Sequence, residues 1–142
     1  MAIARERRPV ALLVVAAGGL LGSLARAGMA ELLPPSAGAL PWGTLAANLT
    51  GSFALALALV LMLERGRPRP YARLFLGVGV LGGYTTFSTL TVETDLLVRD
   101  GHAGIAAAYL AATVVLGLAA AWAGLAVGRA LPTSASHRQE RS

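Results

Sequence analysis

Three sets of polar side chains sit inside stretches otherwise apolar enough to cross a bilayer: Thr44, Asn48 and Ser52; Thr85, Ser88 and Thr89; Tyr109 and Thr113. Spacings of three and four place each set on one face of a helix. A polar group in hydrocarbon is costly unless it is paired, so these are the informative residues. Serine and threonine can bond back to their own helix and on their own fit packing. Asn48 is different, because its amide cannot be satisfied locally at both ends and needs a cross-helix partner or a ligand. Hydroxyls, a phenol and an amide are neutral hydrogen-bonding groups, suited to holding a small solute or ion. Nothing supports an enzyme: there is no activated nucleophile, no buried acid and base pair and no nucleotide-binding loop. The chain has no cysteine, and His102 and His137 lie outside the apolar runs without a partner at ligand spacing, so side-chain metal chemistry is not indicated.

The densest polar stretch is "GGYTTFSTLTVET", Gly82 to Thr94, with five threonines and a serine behind two glycines. Glycine pairs followed by β-branched threonines are poor helix formers, and a break around Gly82 to Thr85 is expected. A break at mid-membrane frees backbone carbonyls, which is tolerated only where protein, water or an ion satisfies them. Broken helices hold ions in many transporters. The residues alone therefore support an ion-handling site, with a packing kink as the alternative. Arg26, near the end of its apolar run, is expected to snorkel to the interface. Glu93 and Asp95 are expected to face water at the opposite mouth.

These residues must be positioned by membrane helices. The chain has 142 residues, 56% of them hydrophobic, with its charges gathered into short patches, which is the profile of an integral membrane protein. Four spans reach the roughly 20 residues a crossing needs: about Val10 to Gly28, Gly43 to Leu63, Ala72 to Val98 and Gly104 to Val127. The N-terminal run resembles a signal peptide but continues into Gly22 without a cleavage region, and is read as a retained first helix. Glu31 to Gly43 holds three prolines and is a loop, Glu64 to Arg73 is a short basic connection, and Arg99 to His102 is a tight turn. Residues 1–131 are expected to form one transmembrane domain and 132–142 a polar, disordered tail. Gly18 and Gly22 in the first span, and Gly117, Gly124 and Gly128 in the last, allow helix backbones to approach closely.

The net charge of +5 comes from arginine alone. The arginines flank apolar spans and are not interleaved with exposed aromatics, so the expected partner is lipid headgroup and not nucleic acid. Arg5, Arg7, Arg8, Arg65, Arg67, Arg69, Arg73, Arg129, Arg138 and Arg141 fall on one side, and only Arg26 and Arg99 on the other. The positive-inside rule makes both termini cytoplasmic in a multi-pass protein of the cell membrane. Four helices of small residues can hardly enclose a solvated pathway, so transport implies an oligomer, most simply a dimer.

"GGLLGSLAR" (Gly18 to Arg26), "PWGTLAANLTGSF" (Pro41 to Phe53) and "GGYTTFSTLTVE" (Gly82 to Glu93), in that order on a four-span chain, resemble the fluoride channel family known as Fluc or CrcB. The resemblance covers about Gly18 to Gly128. It implies an all-α membrane protein with four transmembrane helices per subunit, the third broken near the midplane, assembled as an antiparallel dimer of dual-topology type. The implied function is passive exit of fluoride from the cell, lowering its toxicity, with a structural sodium ion that is not transported. Carried over by position, sodium is held by the backbone carbonyls of Gly82 and Thr85 from both subunits. The fluoride pore is lined by Asn48, Phe87, Ser88, Thr89, Tyr109, Thr113 and Glu93, while Arg26 and Thr44 are entrance or structural positions.

Two positions depart from the family pattern. Leu90 stands where a second phenylalanine is usual, and Gly117 where a pore-facing hydroxyl is often found. A chain with ten arginines on one side and two on the other also lacks the even charge that either-way insertion favours. These features raise, beside a homodimer, a heterodimer with an oppositely oriented paralogue. A four-span proton-coupled multidrug exporter needs a buried carboxylate in the first span, and none lies between Val10 and Gly28. A non-transporting scaffold leaves the polar stripes unexplained.

Overall fold

The computed structural model describes residues 3–64 and 70–131. Its helices are α1 (Ile3–Leu32), α2 (Trp42–Leu59), α3 (Pro70–Arg73), α4 (Leu81–Tyr84), α5 (Phe87–Arg99) and α6 (Ala103–Ala130). A π-helical turn, Val60–Glu64, prolongs α2, and a second π-helical run, Leu74–Val80, joins α3 to α4. Together they make four apolar rods long enough to cross a membrane: Arg8–Leu32, Trp42–Glu64, Pro70–Arg99 and Ala103–Ala130. Each expected span is present and each is longer than its apolar run. The first gains most, because nothing after Gly28 interrupts helix before Pro34 and Pro35. The π-helical runs have no counterpart in the sequence reading. Of the expected connection Glu64 to Arg73, Glu64 and Pro70–Arg73 are helical, while 65–69, like the tail at 132–142, lie outside the described residues.

Two turns on one side of the bundle depend on glycine. Gly38 and Gly101 have φ of 67° and 82°, a region that residues with a Cβ rarely enter. Gly38 turns the proline loop between α1 and α2, and Gly101 closes the tight turn between α5 and α6, as the sequence predicts there.

The third rod changes partner along its length. Its first part, the π-helical run and α4, packs on α1; its last part, α5, packs on α6, which itself lies along α2. Glycine permits the first contact. A Cβ on Gly18 would lie 3.0 Å from the Gly79 Cα, and one on Gly83 would lie 2.5 Å from the Gly19 carbonyl oxygen. Helices without a hydrophobic driving force between them associate by such close backbone contact. Gly124 and Gly128 do the same for α6 against Phe53, Ala56 and Val60 of the second rod, but Gly117 has only the Ser52 hydroxyl, 4.0 Å from where its Cβ would be. Beyond the break, α5 contributes Leu90 and Leu97 to a small core with Leu45, Ala106 and Tyr109. Large apolar side chains elsewhere face outward, Leu12 and Trp122 both 71% exposed, as a lipid or subunit interface requires.

The break itself is displaced from its expected place. Gly82 and Gly83 remain helical in α4, and the extended residues are Thr85 (φ −80°, ψ 153°) and Thr86 (φ −147°, ψ 127°). The glycines serve helix contact, and the rod breaks where a threonine begins a new helix.

Gly22→Ala should destabilise the subunit by about 1–3 kcal/mol, because the added methyl meets the Val80 carbonyl and has the Tyr84 amide nitrogen 2.9 Å away. Gly28→Ala, with nothing within 4 Å, should be neutral or stabilising by up to about 1 kcal/mol. Unfolding of the two variants in mixed detergent micelles checks this. Equal stability would remove the close packing of α1 on the third rod.

Candidate functional site

The site is built around the two extended residues. Thr86 is the N-cap of α5: its hydroxyl accepts a hydrogen bond from the Thr89 amide at 3.1 Å, so helix restarts immediately after the break. The Thr86 backbone is held from the opposite side by Asn48 of α2. The Thr86 N–H donates to Asn48 Oδ1 at 2.8 Å, and Asn48 Nδ2 donates to the Thr86 carbonyl at 3.0 Å. The amide satisfies both backbone polar groups of one extended residue along a single edge, as a neighbouring strand would. This is the cross-helix partner that the chemistry of Asn48 demands. Its Nδ2 carries a second N–H, and Asn48 also lines a cavity.

That cavity, about 300 Å³, lies at the break between α2, α5 and α6, and Ser52, Thr85, Thr86, Phe87, Leu90 and Thr113 share its wall. Phe87 is 78% exposed in the single subunit, with its ring at the cavity rim. Leu90, only 6% exposed, belongs to the core and to the cavity wall at once. Thr113 turns its hydroxyl hydrogen back to the Tyr109 carbonyl at 2.8 Å, leaving the oxygen's lone pairs as its contribution.

A second cavity, about 230 Å³, is bounded by Ser23, Arg26, Thr44, Thr89 and Glu93. A hydrogen bond of 3.0 Å from the Thr86 hydroxyl to the Thr89 hydroxyl joins the walls of the two cavities. Ser88 adds a third hydroxyl, 3.2 Å from that of Thr86. Arg26 reaches this point as well, its Nη1 at a long 3.4 Å from Thr89 Oγ1. Arg26 is half-buried and turned toward this cavity. Because α1 continues to Leu32, the side chain lies a turn and more inside the rod and faces a cavity.

Glu93 is placed differently from its expectation. Its carboxylate accepts from the Thr44 hydroxyl at 2.8 Å and from the Tyr109 phenol at 2.6 Å, which ties α5 to α2 and α6. It also borders a third cavity of about 170 Å³ under the Pro35 to Pro41 loop, with Leu96 and Asp100. Asp95 does face outward and pairs with Arg99 at 2.8 Å. The result is a polar run from the break to one end of the molecule, passing Asn48, Thr86, Thr89 and then Glu93.

Of the side chains singled out in the sequence, Thr44, Asn48, Ser52, Thr85, Phe87, Ser88, Thr89, Glu93, Tyr109, Thr113 and Arg26 lie on or beside these cavities, and Asp95 does not. Thr86 was not singled out, although it is the hub. The available signal was its type: a threonine ahead of a new helical run is a preferred cap.

The backbone at the break is relieved of its usual partners. In an unbroken helix the Gly82 carbonyl would accept from the Thr86 N–H, and that of Thr85 from the Thr89 N–H. Both amides are engaged elsewhere, by Asn48 and by the Thr86 hydroxyl. Gly82, with nothing within 4 Å of its Cβ direction, leaves that surface open.

Comparison with known proteins agrees with this architecture. The family model described as CrcB-like protein, Camphor Resistance (CrcB), matches residues 13–125. A "Fluoride-specific ion channel FluC" of Thermus thermophilus is 50% identical over 120 residues, covering 84% of this chain and 95% of the relative. One of Rhodospirillum centenum, with the same description, is 45% identical over 122 residues, 83% of this chain and 94% of the relative. "Fluoride-specific ion channel FluC 2" of Geobacillus kaustophilus is 42% identical over 118 residues, 82% and 92%. With the matched region spanning all four membrane rods and the polar run between them, the chain belongs to the CrcB family.

Proposed function

We propose that this chain is the subunit of a passive fluoride channel of the cell membrane, with both termini in the cytoplasm, and that it relieves fluoride toxicity by letting the ion leave. The observation that carries the reading is the run of neutral hydrogen-bonding groups, Asn48, Thr86, Ser88 and Thr89, which links the cavity at the break to the cavity holding Thr44 and Glu93. Fluoride is small and strongly hydrated. A pore must replace its water with several donors and still release it, which hydroxyls and an amide do better than a buried cation. The positive edge of the Phe87 ring adds weak attraction. Tyr109 and Thr113 stand beside the same path. The names of the relatives support fluoride as the ion.

The assembly is a dimer with antiparallel subunits. A single subunit leaves Phe87 and the Gly82 surface uncovered, and a second subunit supplies the missing wall. The released carbonyls of Gly82 and Thr85 fit a structural sodium ion, which takes neutral oxygen ligands; two subunits together would offer four. The sodium would hold the breaks of the two subunits together. The arginine bias favours a partner inserted the other way, an oppositely oriented paralogue, over a second copy of this chain. Numbered names such as FluC 2 fit proteins that occur in pairs.

Liposomes carrying the functional assembly should release fluoride and retain chloride, read with ion-selective electrodes; equal passage of chloride would overturn the channel reading. Asn48→Leu, which strips two hydrogen bonds from the Thr86 backbone, should lower fluoride release about ten- to hundredfold. Expressed alone in a fluoride-sensitive cell lacking its own exporter, the chain should give weak rescue, and co-expression with an oppositely oriented family member should restore it. Full rescue by the chain alone would establish the homodimer instead.

A further inference from the structure

The break is gripped from α2 by three residues of one helical turn. Asn48 takes the Thr86 backbone, Gly51 makes room for Thr85 and the Tyr84 ring, and Thr50 meets the Tyr84 hydroxyl at 2.9 Å. The direction of the last bond follows from the others at Thr50. Its single hydrogen goes to the Ala46 carbonyl at 2.7 Å, so the Tyr84 phenol is the donor and the Thr50 oxygen the acceptor. Both side chains lie at the outer surface of the subunit, at the depth of the break, where a bilayer or a second subunit excludes the water that would otherwise compete. Tyr84 is the last residue of α4, and Thr85 fastens the same helix end by donating both its amide and its hydroxyl to the Leu81 carbonyl.

We infer that Tyr84 is a positioning residue: its bond to Thr50 fixes where α4 stops and thereby sets the extended Thr85–Thr86 joint that Asn48 then clamps. Asn48 holds the Thr86 side of the joint, and the glycine contacts with α1 hold the opposite face of α4. Tyr84 holds the other side, so the joint is pinned at both ends to one rigid helix, two residues apart on α2. The Gly82 and Thr85 carbonyls and the Phe87 ring keep their directions only while both pins are in place. The consequence for ion flow rests on the fluoride-channel reading; the geometry of the joint does not.

Tyr84→Phe is a clean probe, since Thr50 keeps its bond to Ala46 and no polar group is orphaned. Amide hydrogen exchange of the full chain, assembled and held in bilayer discs, should show Thr85, Thr86 and Thr89 exchanging about fivefold faster, with the interior of α6 unchanged. Fluoride release should fall by a similar factor. Thr50→Val should reproduce both effects, Thr50→Ser should match the unaltered chain, and Tyr84→Phe with Thr50→Val should be no worse than the more affected single variant. Unchanged exchange at the joint in Tyr84→Phe, an equal rise along α6, or Thr50→Ser behaving as Thr50→Val would each overturn the assignment. An unaltered chain that releases no fluoride in any assembly would overturn the channel reading, and the exchange arm would still decide the role of Tyr84.

Discussion

The architecture turns on one amide. A break in a membrane helix exposes backbone groups that hydrocarbon cannot satisfy, and each would cost several kcal/mol if left bare. Asn48 removes that cost at Thr86 by supplying a donor and an acceptor to one residue, 2.8 and 3.0 Å away. No other side chain of similar size offers both in the geometry of a neighbouring strand; an aspartate at the same place would lose the donor and gain a charge. Because the Thr86 N–H is committed to Asn48, the Gly82 carbonyl is left without its helical donor, and because the Thr86 hydroxyl caps Thr89, so is that of Thr85. The polar run and the open carbonyls beside it are thus two results of the same hydrogen-bond arrangement.

The break also solves a packing problem. The third rod must touch α1 closely enough for glycine to face backbone, and must then bring Leu90 and Leu97 against Leu45 and Tyr109. A straight helix keeps one face toward one neighbour. Two extended residues reset the direction of the rod, so α4 follows α1 while α5 follows α6. The wide π-helical turns of Leu74–Val80 lie in the half that packs on α1, where the Gly18 and Gly79 backbones come nearest. Rigid glycine contacts on one side and a clamped joint on the other leave the string of cavities between well-anchored walls.

Much of this was legible in the sequence, for physical reasons that also explain what was not. Hydropathy over about 20 residues is a strong signal because every residue of a span contributes, and all four rods were visible with ends within a few residues. The four-residue spacing of Thr44 and Asn48 correctly predicted a shared polar face, since helical periodicity is local. The place of the break was not local. Gly82 and Gly83 have low helix propensity, yet the contact of Gly83 with Gly19 keeps them helical, and the rod yields at Thr85–Thr86 because α2 offers partners there. The end of the first helix was not local either: apolar composition fades after Gly28, but helix continues to Leu32, so Arg26 lies inside α1. The π-helical runs have no composition that marks them.

Charge is distributed along the polar run in a way that suits an anion that must be both attracted and released. The cavity at the break has only neutral groups in its wall, while Arg26 and Glu93 border the next cavity outward. They do not neutralise each other directly: Arg26 reaches toward Thr89, and both oxygens of Glu93 are taken by Thr44 and Tyr109. A cation in the wall at the break would hold fluoride too firmly, and a bare carboxylate there would repel it. On the proposed fluoride path, the guanidinium, set one cavity away, would contribute attraction without direct contact at the break. The carboxylate, wrapped by two donors, has its charge partly satisfied before an anion arrives. On the proposed fluoride path, those two hydrogen bonds are what make a carboxylate tolerable beside an anion, and the one from Thr44 draws on the same α2 face that, one turn further along, holds the break.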